Sequence, residues 1–364
     1  MFQRLIKNDL KENKVSMLVI GLFLLLTLTL SFAATRLTVS LTSSIERFVE
    51  TAKSPHLLQM HSGNVNRERL QNFVQQHPEI ASWQLTDFVN VEGSAIRING
   101  QDSLQDSSQD NGFSSQNQNF DFLLDQNNQP AQPQPGQVYI PLYYYNSGKI
   151  KIGDQIRVSK LQLTVQGYIR DAQMNAGLVS SKRFLISQTD LQTLKKEAVA
   201  SNENLIAFRV HKLSQISAIE QAYKNAELES NGPPMITYPT IKMINGFNDA
   251  LVILVMGLLV LAIIGITFLC MRFALLTKIQ EELQQIAVMK VMGLPQRFIS
   301  RVYLTKYYFC LALATIAGWG LSFLLSGPFK KQMALSMGQS PTPFYSYLLE
   351  MLVALLLCLL VFWL

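Results

Sequence analysis

VSMLVIGLFLLLTLTLSFAAT, residues Val15–Thr35, runs for 21 residues without a charged side chain. A helix rises about 1.5 Å per residue, so this run covers the roughly 30 Å of bilayer hydrocarbon, where every backbone amide must find its partner inside the helix. Two more runs match it, Ala250–Met271 with 22 residues and Tyr307–Phe329 with 23, and a fourth, Met351–Leu364, is as apolar over 14. The spacing predicts a membrane α-helical protein with four transmembrane helices, and a 214-residue segment, 36–249, between the first two.

Composition agrees with this. Of 364 residues, 48% are hydrophobic and only 15% charged, and the mean hydropathy is +0.16, outside the ordinary range of soluble domains. A soluble enzyme and a small disulfide scaffold are excluded, and the polar remainder excludes an all-membrane bundle. The net charge of +6 divides into +2 on residues 1–14, −1 on 36–249, +4 on 272–306 and +1 on 330–350. Positive charge confined to short segments beside the apolar runs is an orientation signal, not a nucleic-acid stripe. It puts the N-terminus and the 272–306 loop in the cytoplasm and residues 36–249 outside, with 330–350 an outer loop.

Cys270, Cys310 and Cys358 all lie in apolar runs, where a thiol acts as a small hydrophobe and no disulfide is expected. An outer domain without cysteine fits a bacterial cell surface. The first run is too long for a signal-peptide core and is expected to stay as an anchor. Before it, Phe2, Leu5, Ile6 and Leu10 recur at helical spacing, which predicts an amphipathic elbow over 1–14 on the inner membrane surface. After it, Leu41, Ile45, Phe48 and Ala52 continue the period, and Ile241, Ile244, Phe247 and Leu251 repeat it ahead of the second run. Two helical stalks are therefore expected to carry the outer domain.

Within that domain, 64–77 and 214–228 have helical periods, and 82–91, 137–144, 155–158, 162–169, 183–186 and 205–211 have the character of strands. The expectation is a large extracytoplasmic α+β domain. Residues 101–136 break the order: Gln, Asn, Ser and Asp dominate, and such a composition cannot offset its ordering entropy by burial. The stretch is expected to be a flexible insertion held at most by Phe120, Phe122 and Leu123, so that a chain lacking 105–134 keeps its fold.

The chain carries no phosphate-binding glycine loop: its Gly148-Lys149 pair has Tyr143 where the leading glycine would stand. The spacing of His56 and His61 matches no metal-site pattern, so no metal and no cofactor are expected in this chain. Asp154 and Asp171 stand beside turn residues, where local capping accounts for them. In the 272–306 loop, Ile279, Leu283, Ile286 and Lys290 line one helical face, Gly293 supplies a C-terminal cap, and Pro295 opens the next helix. A helix, a tight Gly-Leu-Pro turn and a second helix entering the third run would form a knob beneath the membrane.

With these features the chain resembles the MacB/FtsX-type permeases, the membrane subunits of mechanotransmitting ABC transporters. The order of elements carries the resemblance, together with Glu282–Leu294, ELQQIAVMKVMGL, similar to that family's coupling segment, and Gly148–Ile169, GKIKIGDQIRVSKLQLTVQGYI, similar to its outer strand pair. The family usually continues into a short tail after its fourth span, so the resemblance implies a chain that ends early. It implies a second permease copy or a sister permease, and two copies of a separate ATPase that bind the ATP and Mg. It further implies that Glu282, Gln285, Ile286, Met289, Lys290, Gly293 and Leu294 dock on that ATPase. The expected function is export or extraction of a hydrophobic or peptidic substrate by movement of the outer domain. The alternatives are a cell-division-type signalling module that activates an envelope enzyme, and a membrane-anchored receptor without an ATPase.

Overall fold

Each of the first three charge-free runs lies inside a helix longer than itself, and the described part of the fourth, 351–363, is helical. The computed structural model describes residues 14–363 apart from Ala198, Glu282 and Leu294, and the side chains of all but 14–16, 275, 278, 285, 289, 296–304, 306, 358 and 360–363 among these. The elbow expected over 1–14 lies almost wholly outside the described residues. Helix α1 spans Lys14–Thr51, and among the described residues three helices are long and apolar enough to cross a membrane. The chain divides into two compact units.

One unit holds the chain up to Ser43, Asn248–Gln332 and the chain from Pro341 on. Its helices are the first part of α1, most of α6 (Tyr238–Glu281), α7 (Leu283–Val291), most of α8 (Gln296–Met337) and α9 (Tyr345–Trp363). Met17, Ile20, Leu24, Leu28 and Phe32 of α1 form its core with Met271 of α6 and Tyr307, Leu311 and Ala314 of α8. The outer loop expected over 330–350 is corrected: α8 continues to Met337 and α9 begins at Tyr345. Glu350, expected in that loop, is a buried helical residue because a partner on α1 neutralises it.

The second unit, Ser44–Phe247 with Met333–Ser340, is built on one sheet. Its strands are β1 (Leu57–Ser62), β2 (Ile80–Val91), β3 (Ile96–Ile98), β4 (Asp102–Ser103), β5 (Asp110–Ser114), β6 (Gln137–Pro141), β7 (Gln155–Val158), β8 (Leu161–Ile169), β9 (Ser181–Ile186), β10 (Ala200–Val210) and β11 (Ile236–Thr237). Among the described residues their order is β11-β1-β10-β2-β5-β9-β6-β8-β7-β3-β4. β5–β9 and β6–β8 pair in parallel and the other neighbours are antiparallel. Helix α2 (Arg67–Gln76) starts where the Asn66 side chain accepts hydrogen bonds from the amides of Glu68 and Arg69. It packs Leu70 and Phe73 against β1 and β10 beside Ile216, Ile219 and Tyr223 of α5 (Ile216–Asn225). The strand expected over 137–144 stops at Pro141, and α3 (Leu142–Asn146) follows, burying Leu142 and Tyr144. Helix α4 (Gln188–Leu194) follows β9.

The flexible insertion is overturned. Residues 101–136 contain β5, which sits in mid-sheet and splices the β11-β1-β10-β2 half to the β9-β6-β8-β7-β3-β4 half. Phe113, Phe120, Leu123 and Leu124 are buried, and Phe113 stacks on Phe184 of β9 at 4.8 Å between centroids. The polar side chains satisfy backbone: Gln116 Nε2 donates to the carbonyls of Leu123 (2.8 Å) and Ala131 (3.0 Å). Gly112 is required where it stands, because a Cβ there would lie 1.8 Å from the buried ring of Phe88.

Candidate functional site

Lys290 and Ile286 sit on α7, the former exposed and the latter half-buried. Gly293 follows with φ +78°, its amide donating to the Lys290 carbonyl at 3.0 Å. This is the expected cap. Glu282 and Leu294 lie outside the described residues, as do the side chains of Gln285 and Met289. Leu283, Val288, Val291 and Met292 are exposed, Val291 by 88%, so the segment presents apolar side chains that no described residue covers. A Cβ at Gly293 would meet no described atom within 4 Å, so the positive φ is the obstacle to substitution that the structure shows. Gly293→Val is expected to cost about 1–2 kcal/mol and to raise amide hydrogen exchange at Met292 and residue 293 about tenfold; unchanged exchange would contradict the left-handed cap.

The structure also assembles a site that local sequence patterns do not show. Three helix ends meet the sheet domain on two loops, 115–131 and 170–180. From the end of α1, the carbonyls of Ala52 and Lys53 accept the amides of Phe122 (2.7 Å) and Asp121 (3.0 Å). From the start of α6, Asn245 Nδ2 donates to the Ala172 carbonyl at 2.5 Å. From the end of α8, the Leu335 carbonyl accepts Arg170 Nε at 2.8 Å and the Ser336 carbonyl accepts Asn175 Nδ2 at 2.9 Å. Arg170 Nη1 also donates to the Asp125 carbonyl and to Asn128 Oδ1, which ties one loop to the other.

At the centre Arg183 of β9 is buried between two carboxylates. Its Nε and Nη2 donate to Asp171 Oδ2 (2.7 Å) and Oδ1 (2.8 Å), and its Nη1 to Asp121 Oδ2 (3.0 Å). Gln173 donates a further hydrogen bond to Asp121. Burial works against both acids. Asp171 is nevertheless held below the usual carboxylate range by the Arg183 charge and fork, whereas burial, helped by the Asp171 charge, leaves Asp121 above it. Beside them Lys182 donates to the carbonyls of Met174, Ala176 and Val179, and burial lowers its ammonium to about 8 against the pull of Asp171. Asp154 is the turn cap expected of it, accepting the Lys151 amide at 2.8 Å. Asp171 is more than a cap: it accepts the Gln173 amide at 2.9 Å, but its main partner is Arg183.

The arrangement ties three helix ends to the sheet through backbone carbonyls and a buried ion-paired cluster. His56 Nδ1 accepts the Val210 amide at 3.0 Å and His61 Nδ1 accepts the Asn231 amide at 3.0 Å, so both rings serve backbone. Burial and the neighbouring Arg209 lower His56 to about 4 and keep it neutral at physiological pH. Among the described residues no His/Cys/Asp/Glu group could hold a metal ion. A cleft of about 530 Å³ opens where β2 and β5 begin to diverge, lined by amides, hydroxyls and the carboxylates of Glu92 and Asp110, with no histidine or cysteine to form a nucleophile and base pair.

Comparison with known proteins gives one family match, the FtsX-like permease C-terminal family, over residues 238–364. No curated protein sequence matches the chain. Among solved structures, the periplasmic region of MacB from Actinobacillus actinomycetemcomitans is 10% identical over 55% of this chain and 96% of that one, with a TM-score of 0.29. The extracellular domain of the noncanonic ABC-type transporter YknZ from Gram-positive bacteria is 12% identical over 50% and 98%, with a TM-score of 0.27. A permease protein domain from Porphyromonas gingivalis is 13% identical over 47% and 82%, with a TM-score of 0.26.

Proposed function

We propose that this chain, whose residues 238–364 match the FtsX-like permease C-terminal family, is the permease subunit of an ABC transporter that turns ATP hydrolysis in two copies of a separate ATPase into movement of its sheet domain. A second copy or a sister permease completes the assembly, with the sheet domain outside the cell membrane and the α7 turn in the cytoplasm. The substrate class is a hydrophobic or peptidic molecule already at the outer leaflet or in the envelope, exported or extracted without passing through the chain.

The joint around Arg183 carries the reading. Chain continuity links the α7 segment to α6 on one side and α8 on the other, helices of 44 and 42 residues and so about 65 Å each. The far ends of both are hydrogen-bonded to the same loop of the sheet domain. A push delivered at Lys290 and its exposed apolar neighbours thus has two long helices along which to travel, and a buried polar joint to receive it. A plain membrane anchor has no need for the apolar exposure of α7.

The test is co-purification of the full-length chain from membranes with its ATPase. Glu282→Lys combined with Lys290→Glu is expected to reduce the ATPase recovered at least tenfold without changing the amount of folded permease. Equal recovery from the parent and the variant would sink the docking reading.

A further inference from the structure

Arg36 and Glu350 are the charges at which the apolar runs of α1 and α9 stop, and in the membrane unit they are buried against each other, with side chains 1% and 3% exposed. Arg36 Nε donates to Glu350 Oε1 at 2.9 Å and Nη2 to Oε2 at 2.7 Å, a two-pronged fork. Helix α8 completes the cluster: Ser322 Oγ accepts from Arg36 Nη1 at 3.1 Å, Trp319 Nε1 donates to Glu350 Oε2 at 3.0 Å, and the guanidinium lies 3.6 Å from the ring centroid of Phe323. Neither charge can leave the other without being stranded away from water. On the same three-helix seam α8 comes close to α1 at Gly318, where a Cβ would stand 3.1 Å from that of Leu28. Small residues allow such close backbone packing in membranes.

The seam between α1 and α6 is built differently. Thr27 Oγ1 and Thr267 Oγ1 face each other at 3.4 Å, but each hydroxyl has one proton and each already donates along its own helix, to Phe23 O at 2.8 Å and Ile263 O at 2.7 Å. The cross-helix contact therefore gains no committed hydrogen bond. Beside it lies an apolar void of about 20 Å³ walled by Leu24 and Leu28 of α1, Ile264, Phe268 and Met271 of α6 and Leu357 of α9, whose walls forgo dispersion contacts.

We propose that the Arg36–Glu350 fork is a latch that makes α1, α8 and α9 one locked body within the helical unit, and that the part of α6 beyond Asn248 is free to shift against it. This division holds whether or not an ATPase drives the movement, so its test needs no partner. The full-length chain is placed in lipid nanodiscs with Cys270, Cys310 and Cys358 changed to serine. One pair of spin labels, at Thr38→Cys and Met351→Cys, reports across the latch; a second, at Thr38→Cys and Leu254→Cys, reports across the seam to α6. All three positions are exposed.

The latch distance is expected to be at least twofold narrower in distribution than the α6 distance. Arg36→Met combined with Glu350→Met removes the fork without leaving a charge stranded, so the chain still folds; it widens the latch distribution to match the α6 one and leaves the latter unchanged. Trp319→Phe, which deletes one hydrogen bond to the carboxylate, widens it less. Equal widths in the parent chain would overturn the proposal. So would a double-methionine variant that keeps the latch narrow or widens both distances alike.

Discussion

A chain lacking residues 105–134 is expected to lose its folded sheet domain. The deletion takes out β5, and with it the only strand that joins the two halves of the described sheet. β2 and β9 would be left with unpaired edges facing each other across a gap, and open edges of that kind recruit other chains. Phe113, Phe120, Leu123 and Leu124, all buried at 2% exposure or less, leave with the segment, at about 3–5 kcal/mol for the loss of each phenylalanine alone. Asp121 leaves as well, so Arg183 keeps one of its two counter-ions. Together these losses are of the size of the roughly 5–15 kcal/mol that holds an ordinary domain folded. Limited proteolysis of the full-length chain in detergent checks it: the parent should yield a resistant fragment over about 44–247, and the deletion none. A resistant fragment of the shortened size would show that the segment is dispensable after all.

Arg183→Leu is expected to destabilise the sheet domain by about 3–5 kcal/mol near neutral pH, because it strands two buried carboxylates. The sign of its pH dependence follows from the groups that remain. In the parent, Asp171 is held below its ordinary value by Arg183, so its share of the stability is present above that value and is lost as the pH falls through it. Asp121 acts in the opposite sense, since burial raises it and the folded state takes up its proton more readily than the unfolded chain. Without the guanidinium both acids follow the second pattern: protonated, they need no counter-ion. The deficit of the variant should therefore be largest at pH 7 and shrink towards pH 5. Thermal unfolding of the two proteins at both pH values measures it, and a deficit that is the same at each pH would contradict the buried triad. Because the triad anchors the loops that hold α1, α6 and α8, the same variant should uncouple the sheet domain from ATP hydrolysis under the proposed function.

The long apolar helices, the Gly293 turn and most of the flanking strands were legible in the sequence because their signals are local. A bilayer demands an unbroken apolar length, a helix cap demands a glycine at one offset, and the alternation of β8 or the helical period of α5 reports which face is buried. The composition of 101–136 argued the wrong way for a physical reason. Asp110–Ser114, DNGFS, has no strand alternation of its own, and it is a strand because β2 and β9 offer it two edges and the missing Cβ of Gly112 leaves room for the Phe88 ring. Its glutamines and asparagines bond to backbone carbonyls that composition cannot count.

The charged residues divide in the same way. Asp154 was readable as a turn cap because its partner is three residues away. Asp171 looked equally local, yet its fork comes from β9, and the third member of the triad lies 62 residues from Arg183. Arg36 and Glu350 counted only as charges flanking the membrane, and 314 residues of sequence separate them. The sequence by itself determined where the chain can cross a membrane and where it must turn. Only the tertiary structure decided which buried charges neutralise one another, because burial of an ion is tolerated solely where folding supplies its partner, and no local pattern encodes a partner so far along the chain.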